Sequence, residues 1–457
     1  MNRLSRFWNN LRASFWFMPS MIVVASIALA VGLIEADAAV SDRWLAQWPR
    51  LFGAGAEGAR GMMSTIAGSM MTVVGVTFSM VLMVLAMASG QYTSRILRNF
   101  IRSRITQVVL GIFAGIFTYC LIVLRTIRSG DEGSFVPNLA VSFGFVLALC
   151  GVGALIFFIH HIASSIQASN IIALVAEETI SAVDRLFPGS LGQVVDNEDE
   201  EQPVRPPSEW TWQPVKASES GYIQSVDNDE LVHLARDKHT IVWMDHGIGD
   251  FVVENTTLAS LALAVPPDQA TIDALQATFR ISRHRTVDQD VAFGIRQIVD
   301  IALKALSPSI NDTTTAVMCV DYLTAILARL AQRQIPSSRR FEDGELRVIA
   351  KGPTFKGLVA ESFDQIRSNA KGNVAIMSPM LGALQTLASL TTSPCRRRVL
   401  DEQVKWIAEL SECSLDFAHD RTCIDAGLAS ARNALDAGPA LSTADEHNSQ
   451  KSSTDKT

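Results

Sequence analysis

The sequence predicts a mainly α protein in two parts: a four-helix transmembrane bundle, and a cytosolic α+β domain built from a small β-module followed by a helical bundle. Three observations lead there. Four uncharged stretches each approach the ~20 residues that cross a bilayer. The charges flanking them alternate in sign bias along the chain. After the fourth stretch, short β-branched runs give way to long segments with apolar residues at helical spacing. A chain of 457 residues, 48% hydrophobic with mean hydropathy +0.22, suits a division between bilayer and water. Its length also exceeds what one core usually holds.

The candidate spans are Phe15 to Ile34, Met62 to Ser89, Ile105 to Leu124 and Val136 to His160. Arg3, Arg6 and Arg12 precede the first, and Arg95, Arg98, Arg102 and Arg104 follow the second, so both sets belong inside. The loop between these spans mixes Asp37, Asp42 and Glu57 with Arg43, Arg50 and Arg60, and belongs outside. Arg125 and Arg128, offset by Asp131 and Glu132, give the weakest vote. Four crossings return the chain to the cytosol, with both termini there. Trp8, Trp16, Trp44 and Trp48 sit where interfacial anchors belong. The first stretch has a second reading: a basic start, an apolar run and Ala36-Asp37-Ala38 also resemble a leader with its cleavage site.

In the second span, Gly61, Thr65, Gly68, Thr72, Gly75 and Ser79 fall within a helical stripe about 80° wide. The opposite face, Met63, Ile66, Met70, Val74 and Val81, is expected to meet lipid. Lipid offers no hydrophobic drive between helices, so association rests on close backbone approach and interhelical hydrogen bonds, which small residues allow. Gly111 and Gly115 with Thr118 on the third span, and Ala140, Gly144, Ala148 and Gly151 on the fourth, are the matching surfaces. The stripe is thus either a helix-packing face or, repeated in several copies, the lining of a narrow polar path. No span carries an embedded Asp, Glu, Lys or Arg of the kind ion-coupled transporters use.

The fourth span is expected to run on as one helix from Phe157 to Phe187, ending at Pro188-Gly189. His160 and His161 lie at the inner interface, either without special role or as a pH-sensitive contact. Adjacent helical positions diverge by about 100°, so the pair does not share a metal. Residues 188–202, with "DNEDEE", read as an acidic linker, and 203–265 as a small β-rich module. "GDFVVENTTL" is similar to the Gly-Asp hairpin of biotinyl- and lipoyl-type half-barrels. "RDK" at Arg236 to Lys238 has the wrong order for a modified lysine, so no cofactor is expected. Residues 266–437 are helical, with starts near Asp268, Asp288, Asp312, Thr354, Asn373, Pro394 and Asp416 and a strand pair around Asp343 to Ala350. The polar tail, 438–457, has the composition of disorder.

"RHRTVDQDVAFGIRQIVDIALKALSPSINDTTTAVMCVDYL", Arg283 to Leu323, joins "STIAGSM", "SRILRNFIRSR" and "FIHHIASSIQ" in resembling the Domain of Unknown Function 2254 family of bacterial membrane proteins. The resemblance implies an integral inner-membrane protein with a cytosolic C-terminal region, and brings no activity or functional residues with it. Physically, the long stretch is a helical hairpin with Asn311 or Asp312 capping its second helix. It also suggests an anion site in which Arg283, Arg285 and Arg296 complete a pocket with Asn311, Asp312 and Thr313 at a helix N-terminus. Asp288, Asp290 and Asp300 could equally neutralise those arginines.

No phosphate loop, HExxH, GxSxG or GxGxxG motif is present, so no catalytic residue is assigned and an enzyme is not expected. The six cysteines form no CxxC pair and read as reduced thiols. No metal is expected, and the charge pattern lacks a nucleic-acid footprint. The expected partners are the bilayer, further copies of the chain, and a small anionic ligand or cytosolic protein. The leading expectation is an oligomeric small-ion channel or transport-related protein gated by a cytosolic sensor domain. The alternative is a non-conducting membrane scaffold or signalling protein that recruits a cytosolic partner.

Overall fold

The computed structural model describes residues 16–39, 55–91, 104–128, 135–165, 167–187 and 210–437. Its contacts divide into two compact units, residues 1–170 and 171–457. The arginines at 3, 6, 12, 95, 98 and 102, Trp8, Trp44 and Trp48, the linker at 188–202 and the tail at 438–457 lie outside the described residues.

The first unit contains α1 (Phe17–Ala39), α2 (Ala56–Gln91), α3 (Arg104–Thr126) and α4 (Asn138–Ser165). All four are long and apolar enough to cross a membrane. Pro19 falls in the first turn of α1, where a missing N–H costs no helical bond. α3 is the hub: Val109, Phe113, Ile116, Tyr119, Cys120 and Val123 are all buried. Three polar contacts tie the helix ends. The Tyr119 hydroxyl donates to the Ala140 carbonyl at 2.7 Å, Asp37 accepts from the Leu139 N–H at 2.9 Å, and Arg60 donates to the Ile127 carbonyl at 3.3 Å. Asp37 and Ile127 mark where α1 and α3 end, and Arg60 and Leu139 where α2 and α4 begin. The helices therefore alternate up and down.

Two expectations are corrected here. The face of α2 expected to meet lipid turns into the bundle, with Met63 and Met70 buried and Ile66, Val74 and Val81 partly so. The reason is a fit between glycine and methionine. A Cβ on Gly144 would lie 2.9 Å from the Met63 methyl, and one on Gly151 3.3 Å from the Met70 sulfur. Grooves opened by glycine take a long flexible thioether well. Likewise Gly111 and Gly115 receive Ile22 and Ser26 of α1 rather than the stripe of α2. Second, the fourth span does not continue as one helix: α4 stops at Ser165 and α5 (Ala168–Leu186) begins anew. The Gln167 N–H bonds the Ser164 carbonyl at 3.4 Å, and the Asn170 side-chain amide takes the same oxygen at 2.7 Å. A polar side chain thus replaces the next helical donor.

The second unit is mixed α+β. Its strands are β1 (Thr211–Lys216), β2 (Gly221–Val226), β3 (Val242–Met244), β4 (Phe251–Val252), β5 (Thr257–Leu263), β6 (Phe279–Ser282), β7 (Arg339–Glu342) and β8 (Glu345–Ile349). They form one sheet in the order β1-β5-β3-β8-β7, parallel only between β3 and β8, and a second in the order β4-β2-β6. The β-structure therefore extends beyond residues 203–265: β6 joins it from a segment read as helical, and the β7–β8 hairpin stands at the strand pair expected around Asp343 to Ala350. Two helices lie among these strands, α6 (Asn228–Asp237) between β2 and β3 and α7 (Gln269–Thr278) between β5 and β6, both capped by aspartates.

The remaining helices are α8 (Val291–Ala305), α9 (Thr313–Ala331), α10 (Phe355–Asn369), α11 (Val374–Leu390), α12 (Pro394–Ser414) and α13 (Ala418–Ala437). Asp268, Asp312 and Thr354 cap as the sequence indicates, whereas α8 is capped by Asp290 rather than Asp288. α9 is a fifth helix apolar and long enough for a span. Its Ala316, Cys319, Val320, Leu323, Ile326, Leu327 and Leu330 are buried, against α8, α10 and α11 of this unit.

Candidate functional site

The side of α2 left outside the bundle is the small-residue stripe. Gly61, Thr65, Gly68, Thr72, Gly75 and Ser79 are all exposed. Among the described residues, nothing lies within 4 Å of where a Cβ on Gly61, Gly68 or Gly75 would stand. Thr65 and Thr72 turn their hydroxyl hydrogens back to the Gly61 and Gly68 carbonyls, at 2.8 and 3.1 Å. Ser64 and Ser69 are exposed beside them. Met71 is exposed among them, and past Gly75 the bulky Val76, Phe78, Leu82 and Met83 are exposed around Ser79. The exposed side of α4 is bulky and apolar along its length, with Phe145, Val146, Leu149, Val152 and Ile156. A face of that kind suits lipid. The stripe forgoes such contact over about four turns.

His160 is exposed and His161 half-buried, its ring stacked on Phe157 with centroids 6.2 Å apart. The two point apart and form no joint site.

Of the expected anion-site residues, Arg285, Arg296 and Asp312 are engaged in separate in-chain contacts. Arg285 makes a two-pronged bond to Asp290 at 2.8 and 3.0 Å and lies over the Phe293 ring. Asp290 in turn caps α8 through the Phe293 N–H. Arg296 reaches Asp300 at 2.8 Å and Glu361 at 3.3 Å. Arg283 is exposed on the loop before α8, and Asn311 takes a left-handed conformation, φ 49°. Asp312 accepts from the Thr315 hydroxyl and N–H, bonds that hold its carboxyl below the usual carboxylate range. The N-terminus of α9, Thr313 included, thus carries its own anion, and Arg285 and Arg296 are matched with carboxylates.

A different constellation stands out on α5. Ile171, Ile172, Val175, Ala176, Ala182 and Val183 form its buried face. Thr179 bonds its own Val175 carbonyl and sits against Gly294 of α8 at a separation no Cβ could share. At the far end, Asp184 meets Arg329 at 2.6 Å and Arg333 at 2.7 Å. Arg333 also donates to the carbonyls of Asp184 and Phe187, closing the helix C-terminus where positive charge is favoured. The hydrogen bond from Arg329, with the charge of Arg333, holds the Asp184 carboxyl below its ordinary range. α5 is therefore built into the second unit, while only Ile166 and Gln167 separate it in sequence from α4. Sequence reasoning missed these residues. The available signal was Gly294, an isolated glycine in a helical pattern.

The chain matches the family described as "Predicted membrane protein (DUF2254)" over residues 12–386. It is 32% identical over 433 residues to the "Uncharacterized protein Mb1321c" of Mycobacterium bovis and to the "Uncharacterized protein Rv1290c" of Mycobacterium tuberculosis. Each alignment covers 93% of this chain and 81% of the relative. No solved structure matches.

Proposed function

The chain belongs to the DUF2254 family of predicted membrane proteins, and on that premise we propose that it works as an assembly of copies joined through the outward stripe of α2. Four helices, α1 to α4, cross a bacterial inner membrane with both chain ends in the cytosol. α9 stays in the cytosolic unit as a core helix. The stripe is the observation that carries this reading. A glycine and hydroxyl face turned away from its own bundle gains from a neighbouring helix what it forgoes in lipid, namely close backbone approach. With several copies facing inward, the same ridge lines a narrow path for a small ion. The cytosolic unit acts on that path through α5, which it holds firmly and which follows α4 in the chain. No catalytic step belongs to this reading.

One observation favours a second reading, a non-conducting scaffold that recruits a cytosolic protein. Thr65 and Thr72 have already given their hydrogens to the helix backbone, as hydroxyls on a plain packing face do. Purified protein in liposomes separates the two. Ion flux that Thr72→Leu abolishes supports the path. Absence of flux from a preparation that crosslinks through α2 supports the scaffold. A protein that runs as a monomer in mild detergent and shows no crosslinks from cysteines placed at Gly68 or Gly75 rejects both.

A further inference from the structure

The first apolar stretch has two readings in the sequence, a span and a removable leader, and the packing of α1 bears on the choice. Its early turns fill the grooves of α3. A Cβ on Gly111 would stand 2.7 Å from Ile22 and 3.0 Å from the Pro19 backbone, and one on Gly115 2.5 Å from the Ser26 hydroxyl oxygen. Its last turn performs a second task. The Asp37 carboxylate accepts from the Leu139 N–H at 2.9 Å and the Ala140 N–H at 3.5 Å, the first turn of α4. A helix start has N–H groups without helical partners and a partial positive charge, and a carboxylate answers both. The Ala140 carbonyl is meanwhile held by Tyr119 of α3, so one short stretch of α4 is gripped by two other helices.

We infer that the helix Phe17–Ala39 stays in the mature protein, and that Asp37 is a latch fastening its end to the start of α4. The Ala36-Asp37-Ala38 sequence that suggests cleavage is helical and contains the latch itself. Cutting there would separate α1 from the bundle and leave the first turn of α4 without its cap.

The full chain, carrying a tag only at its C-terminus, is expressed in a bacterial host and recovered from the membrane. The expected result is an intact mass that includes the first helix, and a thermal midpoint in detergent that falls by several degrees in Asp37→Ala. Glu35→Ala, an exposed neighbour on the same helix, serves as the control and keeps the wild-type midpoint. A membrane-embedded product whose mass begins near residue 39 overturns the inference. So does Asp37→Ala melting together with Glu35→Ala. If Asp37→Ala fails to accumulate, the wild-type mass still decides whether the helix is retained.

Discussion

Arg396 is the largest fully buried side chain among the described residues, 1% exposed. Its guanidinium donates to the carbonyls of Leu330, Ala331 and Arg333 as α9 ends, and lies over the Phe355 ring at 5.1 Å. Replacing it with methionine keeps much of the volume and strands those oxygens, at a cost of roughly 3 kcal/mol. Denaturant unfolding of Arg396→Met, followed through the helices of the second unit, should show a loss of that order. Asp184 carries a pH-dependent share of stability. Its folded-state pKa is depressed, so its contribution is present above about pH 4, where an unfolded aspartate is ionised, and disappears as pH falls through the lower folded value. The thermal midpoints of wild type and Asp184→Asn should therefore differ at pH 7 and converge at strongly acidic pH. Equal gaps at both would rule out the ion pair as the source. Residues such as Asp312 and Thr354 were legible in the sequence because a cap bonds an N–H three positions away. Arg396 was not, since its acceptors lie more than sixty positions back along the chain.

At the level of elements, α2 divides into two faces that differ in what a bulky substitution should do. Gly144→Leu on α4 must displace Met63 and should destabilise the bundle by about 1–3 kcal/mol, seen as a lower thermal midpoint. Gly68→Leu points where no neighbour stands among the described residues, so the fold should hold while the assembled species disappears from size-exclusion or native mass measurements. Loss of fold in Gly68→Leu would place that face inside the bundle instead. The stripe itself was plain from spacing, since Gly and Thr recur every three or four residues. Which side turns inward was not, because periodicity distinguishes faces without saying what opposes them. That choice was made by Gly144 and Gly151, on another helix. The interruption between α4 and α5 was similarly hidden, as Ser164, Gln167 and Asn170 are all tolerated in helices, and the break shows only in how the Asn170 side chain takes the Ser164 carbonyl.

For the molecule as a whole, the matched helix ends predict a sidedness that reporter fusions can measure. Fusions before α1 and after α4 should report one side of the membrane, and fusions near residues 45 and 131 the other. A reporter at 45 sharing the side of the N-terminus would break the alternation. Long apolar helices were legible because a bilayer demands them, although α9 meets the same measure inside the second unit. The β-module's true extent was not, because its parallel rung joins Val242 to Val348, a pairing with no local trace in the chain. That rung has a kinetic side. During synthesis β3 emerges about a hundred residues ahead of the strand that seats beside it, and pairings of such long range form slowly. The five-stranded sheet cannot close until the ribosome has delivered the hairpin, by which time α1 to α4 have long left the exit tunnel. In the interval β3 offers an open edge to passing chains, a period in which holding by a chaperone would raise yield.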